Sequence, residues 1–180
     1  MAAVIASAGP LSNILLFLIT AWLLSVRSVK NHPYVFHCIF WTCIVTFSMV
    51  FEYVYTRSFQ HHDDFGNITH GLGISPWPIF IVGTVLGIIS LWYIVVSLLP
   101  AYLAIVTPHD RSLQYVTVSF LSFVIFLFYV GLRITNYPDV PEWWCGVTGI
   151  VGLFILPFLV SPARGWVKER IRTNLRERDL

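Results

Sequence analysis

The sequence predicts an all-α protein, a polytopic transmembrane helical bundle of about five spans with its N-terminus out and its C-terminus in. Three observations lead there. First, residues 1–26, 34–51, 65–109, 112–132 and 143–163 contain no Asp, Glu, Lys or Arg. A spanning helix needs about 20 mostly apolar residues, because hydrocarbon is about 30 Å thick and a helix rises about 1.5 Å per residue. Second, the 180-residue chain is 57% hydrophobic and only 11% charged, against roughly 25% charged in a soluble domain. A monomer in water would expose too much of that apolar surface. Third, nine of the eleven Lys and Arg fall on one side of a five-span arrangement: Arg27, Lys30, Arg111 and the six of the tail. Arg57 and Arg133 fall on the other. Basic residues are retained in the cytosol during insertion, which sets the orientation.

The first span is expected at about 4–26. Nothing basic precedes it, and Arg27 and Lys30 follow it, so it reads as a retained helix rather than a cleaved signal peptide. Pro33 ends the first loop, and the second span covers about 34–55. The third, about 76–106, opens with Ser75 as a cap and Pro76 in the first turn, where its missing N–H costs nothing. Pro100 bends it near its inner end. The fourth, about 113–133, follows a short link, and the fifth, about 143–161, begins after Pro141. Tyr53, Tyr55, Trp77, Trp143 and Trp144 fall at the outer boundary, where amphipathic rings anchor a span.

Residues 1–163 thus form one membrane domain, and 164–180 a basic amphipathic cytoplasmic tail. Within the tail, Val167, Ile171 and Leu175 recur every fourth residue among arginines. Such a helix suits either the surface of an anionic leaflet or plain solvent. Gly83 and Gly87 form a GxxxG, and Gly146, Gly149 and Gly152 recur every third residue. Small residues let helix backbones approach closely, and seams within the chain are expected rather than a homodimer. Cys38, Cys43 and Cys145 show no CxxC spacing; in an apolar helix the first two read as small buried residues.

The outer loop, 59–70, is the chemically unusual part. It holds His61, His62, His70, Asp63 and Asp64, and Glu52 lies just below it at the end of the second span. Imidazoles and carboxylates are the common ligands of Zn and other divalent metals. His61, His62, Asp64, His70 and Glu52 are the candidate metal ligands. A carboxylate beside hydrocarbon is a functional candidate by default, the alternative being that Glu52 snorkels to the interface or pairs with Arg57. Asn67-Ile68-Thr69 is also an N-glycosylation sequon.

Several classes are disfavoured. There is no GxSxG and no Gly-rich phosphate loop. Only His37 lies within a helix, whereas haem needs axial ligands on facing helices. No charge lies at the midplane to couple a carrier to an ion. The basic residues hug the membrane, so no nucleic-acid partner is expected.

Ala8-Gly9-Pro10-Leu11-Ser12-Asn13 resembles the AGPxxN segment of site-two-protease-type intramembrane metallopeptidases. In that family the segment follows the helix bearing HExxH, and a later Asp completes the zinc site. Asp64, in Asp64-Phe65-Gly66-Asn67-Ile68, is similar to that position. The resemblance implies that the first helix proper starts at Pro10 and that residues 1–8 end an upstream helix missing from this sequence. No HExxH occurs here, so two of the family's zinc ligands and its general base are lacking. The family's site also usually faces the cytosol, opposite to this orientation.

The expected function is a non-catalytic membrane subunit, or a degenerate relative of those metallopeptidases, with the outer His/Asp loop as ligand or partner surface. This chain alone is not expected to hydrolyse peptides, since a zinc protease needs three protein ligands and an activated water. Two classes compete: a membrane metallohydrolase completed by ligands from another chain, and a small-molecule or lipid carrier. The expected partners are the lipid bilayer and other membrane subunits.

Overall fold

A computed structural model describes residues 2–59, 69, 71–131 and 144–179, with side chains over 8–59, 69, 71–131 and 146–178. Among these residues the regular structure is helical throughout, without a strand. The rods are α1 (Ala2–Leu23), α2 (Pro33–Arg57), α3 (Pro76–Val106), α4 (Arg111–Gly131), α5 (Trp144–Leu159) and α6 (Gly165–Asp179), with a short helical turn at Arg27–Lys30. Each apolar stretch of the sequence therefore becomes a helix within a few residues of its expected bounds. α2, α3 and α4 are long and apolar enough to cross a membrane, at 25, 31 and 21 residues. α1 and α5 are also apolar, and α5 is short at 16 residues.

The helix starts follow local chemistry. Pro33 sits in the first turn of α2. Ser75 caps α3 by accepting from the Trp77 N–H at 3.4 Å, with Pro76 behind it. Asp110 caps α4, accepting from the Leu113 N–H at 2.9 Å. Gln114 closes the preceding link by donating to the Thr107 carbonyl at 2.7 Å.

Two features depart from the expectations. α1 runs unbroken through Pro10 instead of starting there. Proline removes one backbone bond and crowds the preceding turn, and membrane helices tolerate this where neighbours re-satisfy the backbone. Pro100 does not act alone either: α3 winds as a π-helix over Ile94–Leu98 immediately before it. A residue without an N–H leaves the preceding carbonyls short of a donor, and a π turn re-pairs them in a wider register.

α2 is the centre of the bundle, touching α1, α3 and α4. Phe36, Phe40, Cys43, Phe47 and Phe51 fall on one face at helical spacing and are buried. Phe47 meets Phe17 of α1 with ring centroids 5.7 Å apart, and Phe51 meets Phe126 of α4 at 6.0 Å. Both glycine motifs are seams within the chain. A Cβ on Gly83 would stand 2.6 Å from Val54, and one on Gly87 3.2 Å from Phe51. Added to Gly152 it would stand 2.6 Å from the Phe126 ring. The Ser122 hydroxyl ties the α4–α5 seam by donating to the Leu153 carbonyl at 2.9 Å.

α6 folds back onto the bundle. Val167 and Ile171 are buried and Leu175 half-buried against the core, with α6 lying on Leu99–Val106 of α3. The apolar stripe of the tail is thus covered by the chain itself, while its arginines stay exposed. Arg27, Lys30, Ile105 and Arg178 line one small pocket, so the first loop, the end of α3 and the tail share a basic end of the bundle.

Candidate functional site

A large apolar cavity lies toward the other end, between α1 and α3 with α2 as its floor. Its origin is local. Gly83 and Gly87 draw α3 onto Val54 and Phe51 along one edge of α2. Phe17 seats α1 against Phe47 along another. Two helices held on one floor by separate contacts leave a cleft of about 640 Å³ between them. Small-molecule sites run from about 300 to 1,000 Å³ and are mostly apolar.

Of the sixteen lining residues, only Tyr53 and Ser90 carry a polar side-chain atom. Pro10, Ile14 and Leu18 of α1 recur at spacing four along one wall, and Val82 and Leu86 line the other. The glycines contribute bare backbone to that second wall. Among the described lining residues there is no carboxylate, imidazole, thiol or amine, and what they offer a guest is shape and apolar contact.

A charged pair lies beside Tyr53, outside the described lining of the cleft. Glu52 is buried, at 3% exposure. It accepts from Nε and Nη2 of Arg57, each at 3.2 Å through Oε1. The guanidinium also lies over the Tyr53 ring, 4.6 Å from its centroid, and Tyr53 lines the cleft. The pair thus meets the slot through the Tyr53 ring, and neither Glu52 nor Arg57 is among its described lining residues.

The sequence-derived metal ligands meet the structure at one point. Glu52 is engaged with Arg57, the alternative the sequence allowed. His61, His62, Asp64 and His70 lie outside the described residues. Among the described residues, no three His, Cys, Asp or Glu side chains come together as a metal-binding group. The AGPxxN segment lies inside α1, where Ser12 Oγ and Asn13 Nδ2 both donate to the Gly9 carbonyl, at 2.8 and 3.2 Å. Those polar groups are engaged within their own helix, and only Pro10 of the segment reaches the cleft.

A second, smaller cavity of about 410 Å³ lies near the basic end, between α2, the last turns of α3 and the start of α4. His37 Nδ1 is 2.7 Å from the Tyr102 hydroxyl, which also accepts from Trp41 Nε1 at 3.3 Å. Tyr102 is itself buried, at 2% exposure. In the sequence His37 is a lone helical histidine. Its partner lies 65 residues away, and no local pattern announces that pairing.

Cys43 is buried and Cys38 exposed, and both are free thiols. Ser48 donates within its own helix, to the Ile44 carbonyl at 2.7 Å, as a structural hydroxyl does. No protein-family model matches this chain, and neither a characterised protein nor a solved structure does.

Proposed function

We propose that this chain is a non-catalytic, five-span membrane protein, N-terminus out and C-terminus in, that holds a lipid-like molecule in the α1–α2–α3 cleft. The observation that carries the reading is the cleft itself: about 640 Å³, with fourteen of its sixteen described lining residues apolar and, among those sixteen, the Tyr53 phenol as the one titratable group. An apolar slot of this kind suits the apolar body of a lipid-like guest, with the Tyr53 phenol and Ser90 hydroxyl as the polar side-chain groups among its described lining residues. The five spans are supported by five apolar helices, and the orientation by nine of eleven basic residues falling on one side.

The test is native mass spectrometry of the protein released from membranes. Wild type is expected to carry one lipid-sized adduct per chain. Val82→Trp, which fills the slot, is expected to lose it, while Ile81→Trp on the neighbouring exposed position keeps it. Equal occupancy in all three proteins refutes the cleft as the binding place. Metal analysis of the same preparation addresses the competing hydrolase: the present reading expects less than stoichiometric zinc, unaltered by His61→Ala or Asp64→Ala.

A second reading has one observation in its favour. Only 6% of the most apolar window of α3 is buried, which suits a helix that seats another membrane subunit. A detergent-corrected mass above one chain, with a second polypeptide present, would favour that arrangement.

A further inference from the structure

The cavity near the basic end carries chemistry that the cleft lacks. Trp41 Nε1–H can only donate, and it donates to the Tyr102 oxygen. The phenol proton is free to be donated to its other neighbour, His37 Nδ1, at 2.7 Å. A neutral imidazole that accepts at Nδ1 carries its proton at Nε2. With the Tyr102 hydroxyl donating to Nδ1, the relay Trp41 to Tyr102 to His37 leaves an N–H donor on the ring edge away from Tyr102. His37 is exposed and lines the cavity, so that donor has an open face.

The surroundings select the acceptor. Val106, Leu113, Val116 and Phe120 supply apolar wall, and no Lys or Arg is among the described residues that line the cavity. A phosphate would find no counter-charge there, whereas a neutral carbonyl oxygen needs only one N–H. His37 lies four residues into α2 from Pro33, about 6 Å along the axis at about 1.5 Å per residue. In the five-span arrangement proposed above, with α2 entering the bilayer at Pro33, that places His37 where headgroup gives way to acyl chain, at the level of the ester carbonyls of a glycerolipid. The geometry points to a second lipid site, in which His37 Nε2–H donates to a glycerolipid ester carbonyl while the apolar wall holds the start of its acyl chain. Tyr102 is the positioning residue, acting through the hydrogen bond it donates to Nδ1. This inference shares with the proposed function only the five-span arrangement in the bilayer: no described residue lines both cavities.

The experiment compares a diester phosphatidylcholine with its diether analogue, which keeps the headgroup and chains but has no carbonyl. The full-length protein is purified and offered equal amounts of both, and the retained lipids are measured by native mass spectrometry. Wild type is expected to retain the diester about three- to ten-fold over the diether, the yield of one neutral hydrogen bond. His37→Phe is expected to lose the preference, and His37→Gln, which keeps an N–H near the Nε2 position, to retain it. Val82→Trp is expected to leave it intact, which separates this site from the cleft. ¹⁵N NMR of the His37 ring, assigned by its absence in His37→Gln, is expected to show the Nε2–H tautomer in wild type and mixed tautomers in Tyr102→Phe. Equal retention of the two lipids by wild type, a preference that survives in His37→Phe, or an Nδ1–H ring in wild type overturns the inference.

Discussion

Glu52 and Arg57 are five residues apart, a spacing that puts two side chains about 140° around an α-helix and out of reach of each other. They meet because α2 winds as a π-helix over Tyr53–Arg57, where bonds run from residue i to i+5. The pairing was legible in the sequence as one alternative for an outer carboxylate; the winding that permits it was not, since no proline or glycine marks those residues. Removing the partner of a buried carboxylate costs about 3–5 kcal/mol, whereas neutralising the carboxylate in place removes the need for a partner. Arg57→Ala is therefore expected to lower unfolding stability in detergent more than Glu52→Gln does, and denaturant titration of both variants checks the order. The glycines give a second prediction. Gly152→Val should cost about 1–3 kcal/mol by overpacking the Phe126 ring, while Gly165→Ala, with nothing within 4 Å of the added carbon, should be near neutral in the same assay.

Helices were the most legible level, because apolar length, prolines and capping residues act locally. Ser75 and Pro76 mark the start of α3 in sequence and do so in the structure. What the sequence left open was where an amphipathic helix spends its apolar face. Val167, Ile171 and Leu175 fit a membrane surface or a solvated tail equally well, yet they rest on Leu99–Val106 of the same chain. The choice depends on a surface some 60 to 70 residues upstream, which periodicity does not encode. Val167→Asp places a charge on a fully buried position and should free α6. Limited trypsin digestion is then expected to cut at Arg170 and Arg172 much faster than in wild type; unchanged cleavage would mean that the helix is held by something other than this contact. The pairing of His37 with Tyr102 likewise joins α2 to the end of α3 across the bundle. It follows the π winding at Ile94–Leu98, which rotates everything after it.

At the scale of the molecule, the distribution of apolar side chains separates a bilayer from water. α2 buries its phenylalanines, as any core helix does, but α3 turns Ile81, Val85, Ile88 and Ile89 outward with more than half of each exposed. Such a face is stable only in hydrocarbon or beneath another protein. The cleft belongs to the same level: it arises from how three helices lean on one another, and its lining residues read in sequence as ordinary spans. The account therefore turns on the solvent of α3. Spin labels placed singly at Ile81, Val85 and Ile88 of protein reconstituted in liposomes measure this directly, through collisions with oxygen, which concentrates in lipid, and with a nickel chelate, which stays in water. Strong oxygen and weak nickel broadening at all three positions is the predicted result. Free access of the nickel chelate to all three would contradict a membrane-embedded α3 and the lipid-binding reading built on it.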